Sequence, residues 1–345
     1  MSTMRRSRWP LLLTVVAVAA AGLSLLTRPA AARGTTTTIA YDSFDGADYD
    51  LDEYLSKWNN GFGPGEMAIE DTRVFDRNSF SVSALPFHTA TDSSVFDHIK
   101  YLALSNESFT VPANGSVTFA ASIDATTVGT DPDGRVIHGI YGPPDCADEP
   151  ACASGRTPWR GVALEGQQAG ATLHMIDLAT GQLFDWFVSG RTGFALVERL
   201  PATVIGSPLG ATRNTMYTQI VEQVPLGPGA HDVAITFARK AGKSSAEFLL
   251  DGRRIARVKN IGVPLDVQRA RYTGIYPSLG PGQQLSELID SVTIGHGLFS
   301  LLDAFPFQHP DAPELSVSIP LTERIWGQGA AATFDNFTVT IDDRR

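Results

Sequence analysis

Past residue 33 the apolar positions follow a period of two over short stretches, punctuated by Gly, Pro, Asp and Asn. Such alternation sends successive side chains to opposite faces, so it predicts strands rather than helices. The clearest are SVTFAASID (116–124), RVIHGIYG (135–142), ATLHMIDL (171–178), LFDWFVS (183–189), FALVERL (194–200) and YTQIVEQV (217–224). HDVAITFAR (231–239), AEFLLDG (246–252), RRIARVK (253–259), LIDSVTIG (288–295) and FDNFTVTID (334–342) continue the series. Many short strands with little helical periodicity predict an all-β sandwich or jelly roll. GTTTT at 34–38 reads as part of a flexible leader over 33–40, and 300–320 as a long loop or a short helix. No repeat or low-complexity linker divides the remainder, so 41–345 is predicted to be one domain.

The first residues depart from this pattern. Arg5, Arg6 and Arg8 precede the apolar PLLLTVVAVAAAGLSLL (10–26), and PAAARG follows. This is the grammar of a signal peptide, residues 1–32, cleaved after Ala32, with an apolar core shorter than a membrane span. The mature chain is therefore expected to be secreted, extracellular or held in the cell envelope, whether by the general or the twin-arginine route. Losing the four arginines of that segment takes the formal net charge from −10 to −14. So acidic a chain repels nucleic acid and anionic lipid and is compatible with a neutral polysaccharide, a cell-wall glycan or a cation. In an exported chain the two cysteines of CADEPAC, Cys146 and Cys152, are expected to form a local disulfide. Closing so short a loop stabilises by about 2 kcal/mol.

Candidate chemistry concentrates in HMIDLATGQLFDWF (174–187). With Thr180-Gly181 at the tip of a hairpin, Ile176 pairs with Asp185 and Met175 with Trp186. Asp177 then shares a face with Met175, Phe184 and Trp186, while Asp185 lies with His174, Ile176 and Phe187 on the other. If the first face is exposed, Trp186 can stack on a pyranose while Asp177 accepts its hydroxyl protons; otherwise Trp186 is core and Asp177 faces water near the turn. Asp185 and His174 become diagonal neighbours able to form a buried ion pair. In the next strand Glu198 shares a face with Phe194, Leu196 and Leu200. Glu198 with Asp177 or Asp185 could supply the two carboxyl groups of a glycosidase, and Trp186, Asp177 and His174 form the candidate ligand-binding set.

HDVAITFARKAGKSSAEFLLDGRRIARV has a more specific grammar: an alternating strand, a polar turn, a second strand and an Asp251-Gly252 turn into a third. It resembles the laminin-G-like and concanavalin-like sandwiches, as do YDSFDG (41–46) with Trp58 and the closing TFDNFTVTID. Together these pieces resemble an uncharacterised family of exported concanavalin-like domains of actinobacteria and fungi. The resemblance implies a jelly roll of two curved antiparallel sheets, on an architecture that serves lectins, adhesion modules, hydrolases and lyases alike. The Glu-x-Asp-x-Glu strand of the glucanase branch is absent, as are the alginate lyase pairings.

The remaining signals are weaker. Asp48, Asp50 and Asp52 alternate and invite a structural calcium, although Glu53 and Asn59 occupy the positions an EF-hand needs for glycine and glutamate. His138, His174, His231 and His296 lack zinc-site spacing, there is no serine-hydrolase elbow, and no other cofactor motif occurs. The expectation is an exported glycan-binding or cell-surface interaction protein, with a glycoside hydrolase or polysaccharide lyase as the alternative and a purely structural envelope protein as a third reading.

Overall fold

The computed structural model describes residues 34–46, 48–59, 72–88, 98–131, 133–141, 157–163, 165–212, 214–272, 280–300, 317–318 and 324–344. The predicted signal segment 1–32 and the predicted Cys146–Cys152 disulfide lie outside them. The chain opens with β1 (Thr35–Asp42), a helix α1 (Leu51–Lys57), β2 (Trp58–Asn59), β3 (Thr72–Asp76), β4 (Ser79–Ala84), β5 (Ile99–Thr110) and β6 (Gly115–Val128). Next come β7 (Arg135–Tyr141), β8 (Thr157–Ala163), a single turn α2 (Glu165–Gln168), β9 (Ala169–Asp177), β10 (Gln182–Val188) and β11 (Thr192–Arg199). A second single turn α3 (Ala202–Ile205) leads to β12 (Tyr217–Pro225), β13 (His231–Lys240), β14 (Lys243–Leu250) and β15 (Arg253–Lys259), and β16 (Ser291–Ser300), β17 (Val317–Ser318) and β18 (Gly329–Asp343) close the chain.

Among the described residues, an eight-stranded sheet runs in the order β15-β14-β13-β6-β18-β4-β3 with β1 also paired to β18, and a seven-stranded sheet runs β12-β11-β10-β9-β16-β5-β2. The two antiparallel sheets pack face to face as a concanavalin-like jelly-roll sandwich, and β17-β7-β8 form a small third sheet. Alternation explains the eight-stranded layer: Val117, Phe119 and Ile123 of β6 and Val233, Ile235 and Phe237 of β13 all point into the core. In β18 a bulge between Asp335 and Thr338, with Asn336 at a φ of 56°, turns both Phe334 and Phe337 inward although they are three residues apart.

The predicted leader is corrected by the structure. Thr35–Asp42 is β1, paired in register with the end of β18 as far as Ala40 and shifted by a bulge before Asp42, and Thr38 and Thr340 meet through their hydroxyls. The strand is then pinned by buried Asp42, which accepts from Tyr49 Oη at 2.7 Å, Lys57 Nζ at 2.9 Å and Trp58 Nε1 at 2.8 Å. A buried carboxylate needs such partners, and here they fasten β1, α1 and β2 together.

The seven-stranded sheet is different, because every residue of β9 and β10 is buried. One face of these strands, with Leu173, Met175, Phe184 and Trp186, joins the core between the sheets. The opposite face carries a second apolar cluster that includes Ile176, Leu183, Phe187, Phe194, Leu196, Ile220 and Phe299. It is this outer face that holds His174, Asp185 and Glu198.

Candidate functional site

The register of the β9–β10 hairpin differs from the predicted one by two residues. Asp177 faces Gln182, Met175 faces Phe184, and His174 stands directly opposite Asp185. A shift by an even number keeps every side chain on its expected face and turns the diagonal His174–Asp185 contact into a direct one. The cause is the loop. Asp177 accepts from the backbone of Ala179 and Thr180 and from Thr180 Oγ1 at 2.6 Å, Gly181 takes the left-handed φ of 74°, and Gly181 N bonds back to Asp177 O. Asp177 thus closes a four-residue loop over 178–181, and its carboxylate is occupied there.

Trp186 is likewise corrected as an exposed sugar platform. It has no accessible surface, packs edge-on against Phe248 and donates its indole N–H to Ala234 O at 3.0 Å across the sandwich. Its face is the one that meets the partner sheet, so Trp186 with Asp177 presents nothing to a ligand. Asp48, Asp50 and Asp52 do not converge either: Asp50 caps the N-terminus of α1 through Glu53 N, and Asp52 lies in the first turn. Among the described residues no three potential metal ligands come together, so the calcium suggested by this run finds no fitting donor set.

The structure does bring His174, Asp185 and Glu198 to one face. His174 Nδ1 meets Asp185 Oδ1 at 2.5 Å, and its Nε2 lies 2.6 Å from Thr172 Oγ1, one pleat along the same strand. Nδ1 is thus held by the carboxylate and Nε2 by the threonine hydroxyl, so both ring nitrogens have a partner. The ring leans on Phe299 with centroids 4.9 Å apart, and Phe187 stacks on Phe194 at 4.5 Å to wall the pair. The side chains of His174 and Asp185 are only 5% and 3% exposed. Burial pushes the Asp185 carboxyl up, and the charge and hydrogen bond of His174 pull it back.

Glu198 stands opposite Leu183 on β10 and opposite Thr218 on β12, diagonal to Asp185. Sheet geometry places such diagonal neighbours on the order of 7 Å apart at Cβ. Thr218 Oγ1 donates to Glu198 Oε1 at 2.5 Å. Burial above all, with a smaller push from the negative charge of Asp185, raises the Glu198 carboxyl from 4.5 to about 8 against the pull of the Thr218 hydrogen bond. At neutral pH Glu198 is thus a protonated acid, able both to donate and to accept hydrogen bonds. Unlike the pair behind it, it is only half-buried, as are Thr218 and Leu200 beside it. The face opens at that corner.

Thr172 and Thr218 were not flagged by the sequence. The alternation of TLHMID and YTQIVEQ aligns each with its partner's face, but the partner of Thr218 is fixed only by the β11–β12 pairing across twenty residues. Arg199 points away from this face. It is buried at the loop and donates to Thr180 O, Leu209 O and Gln283 Oε1.

The model of a family described only as a family of unknown function (DUF6081) matches residues 163–343. No curated protein matches the sequence. Among solved structures the chain is similar to an endo-1,3-β-glucanase from Streptomyces sioyaensis, with 11% identity over 92% of this chain and 98% of that one and a TM-score of 0.40. It is also similar to β-agarase B from Zobellia galactanivorans, with 10% identity, coverage of 91% and 96% and a TM-score of 0.42. A winged bean acidic lectin in complex with methyl-α-D-galactose gives 8% identity, coverage of 90% and 100% and a TM-score of 0.35. At such scores none of these says what this chain binds.

Proposed function

The chain belongs to this family of unknown function, and we propose that it is an exported glycan-binding protein that takes its ligand at the Glu198 corner of the seven-stranded sheet's outer face. Export rests on the first 32 residues, whose basic start, apolar run and small-residue end have the signal-peptide order. The observation that carries the reading is Glu198 itself, a half-buried residue whose carboxyl accepts from Thr218 and is pushed toward its protonated form. Sugar hydroxyls need donors and acceptors set on an otherwise apolar surface. Glu198 and Thr218 supply both, and Leu200 and Ile220 supply the apolar frame. His174 and Asp185 act from behind, since the charge of Asp185 helps to hold the proton on Glu198.

The same geometry bears on hydrolysis. A glycosidase places two carboxyl groups against the scissile bond, and environments that push two carboxyl pKa values apart mark the acid and its partner. Glu198 has the character of the acid. Asp185 is enclosed and tied to His174, so in this arrangement only one of the two reaches a ligand, which favours binding over cleavage. The test is to incubate the purified protein with insoluble polysaccharides and cell walls, then assay each supernatant for depleted protein and released oligosaccharide. Depletion by the wild type and not by a folded Glu198→Gln variant supports the site. Release lost in the same variant would convert the reading to hydrolysis, and no depletion on any substrate would sink it.

A further inference from the structure

The outer face of the other sheet carries a feature of opposite charge to the molecule. A groove of about 910 Å3 lies across β6, β13, β14 and β15. The whole chain contains five lysines, and three of them, Lys240, Lys243 and Lys259, line this groove. The other two are engaged elsewhere: Lys57 on Asp42 and Glu53, and Lys100 on His88 O. Lys240, Lys243 and Lys259 are exposed, and their side chains make no hydrogen bond or ion pair among the described residues. Arg257, 47% exposed, stands one pleat from Lys259.

Strand register explains the concentration. Lys240 faces Lys243 across the β13–β14 turn, and Lys259 faces Ser245 on β14. Like charges placed directly opposite repel, so this hairpin end keeps an arrangement that costs the isolated fold stability. From Lys259 the row continues through Ser245 and Ala238 to Ser116, four strands with small or hydroxylic side chains. At the usual strand spacing that floor is about 14 Å long, enough for two or three sugar rings. The carboxylates on this face are largely spoken for: Glu247 is held by Arg254 and Arg257, and Asp342 by Arg344. Glu287 lies at the rim, beside Gly242 of the turn.

We propose that this groove is a second binding site, for an acidic polysaccharide bearing carboxylate or sulfate groups, on the opposite side of the molecule from Glu198. Unpaired cations over a hydroxyl-lined floor answer both halves of such a ligand, its charge and its hydroxyls. Among the described residues no aromatic side chain lines the groove, so they offer no stacking platform of the kind single-stranded nucleic acid uses. Its Ser, Thr and Ala floor likewise lacks the apolar side chains that anchor a protein in a lipid surface. The neutral-glycan expectation drawn from net charge averages over the surface and misses this local reversal of sign.

The experiment measures binding of the wild-type protein to polygalacturonate, dextran sulfate and neutral dextran, with single-stranded DNA and phosphatidylglycerol vesicles alongside. One or both acidic polysaccharides are expected to bind, more weakly as NaCl rises from about 0.05 to about 0.5 M, while neutral dextran does not. K240A/K243A/K259A should weaken that binding by about tenfold with a melting temperature no lower than that of the wild type, since three exposed ion pairs contribute about 1.5 kcal/mol together. The triple Lys→Arg variant should retain it. Glu198→Gln should leave it intact, which separates failure here from failure of the Glu198 site. Equal binding by the triple alanine variant, no binding to either acidic polysaccharide, or tighter binding of DNA or vesicles than of both would overturn the proposal.

Discussion

Two histidines on adjacent strands of the same sheet meet opposite fates. His296 of β16 faces Leu173 of β9, one residue from His174, and both histidines are buried. His296 points into the sandwich, where Trp58, Phe80, Phe334 and Phe337 surround it and Tyr54 Oη lies 2.9 Å from its Nε2. Among the described residues no carboxylate contacts it and its Nδ1 has no partner, and burial above all lowers it from 6.5 to about 3. It is a neutral ring that fills space. His174 points the other way, onto Asp185, and belongs to a chain of groups that reaches solvent at Glu198. Burial alone therefore does not make a site; a charged partner and a way out to solvent distinguish the outer face from the inner one.

The largest effect that bears on this contrast comes from His174→Ala. Removing one member of a buried pair strands the other, at a cost of about 3–5 kcal/mol. Replacing both, as His174→Leu with Asp185→Leu, should recover most of that loss in urea denaturation, because the pocket is otherwise apolar. A single-variant cost below about 1 kcal/mol would mean that Asp185 is solvated, and the contrast between the faces would collapse.

Smaller effects lie in the pH dependence of stability, where the two faces pull in opposite directions. The folded state holds an extra proton on Glu198 between 4.5 and about 8, so this contribution is complete at low pH and is lost as pH rises through that window. The folded state keeps His296 deprotonated between about 3 and 6.5, so that contribution is present above 6.5 and is lost as pH falls. Calorimetry should find that Glu198→Gln removes a decline of several degrees as pH rises from 4.5 to about 8, while His296→Phe flattens only the acid side. An unchanged decline through that window in Glu198→Gln would place its origin elsewhere.

Sequence alternation made most of the sandwich legible, because strands such as β6 and β13 bury one face and wet the other. It failed at β1, whose threonines look like a linker until β18, some three hundred residues away, supplies their partners. Around the site the faces were legible and their meaning was not. With β9 and β10 buried on both sides, no polarity pattern tells which face meets the other sheet, so Trp186 could be read as a platform although it is core. The hairpin register failed because Asp177 was weighed as a ligand and not as the cap of its own loop. Glu198 was identifiable as a charge interrupting an apolar row. Its state was not, because Thr218 and Asp185 reach it through strand pairing.

The most direct test of the account is an NMR titration of the Glu198 side-chain carboxyl in the folded wild type and in Asp185→Asn. The account predicts a midpoint near 8 that falls when the Asp185 charge is removed. A midpoint in the ordinary glutamate range, unmoved by Asp185→Asn, would contradict it and leave the outer face as one more wall of the core.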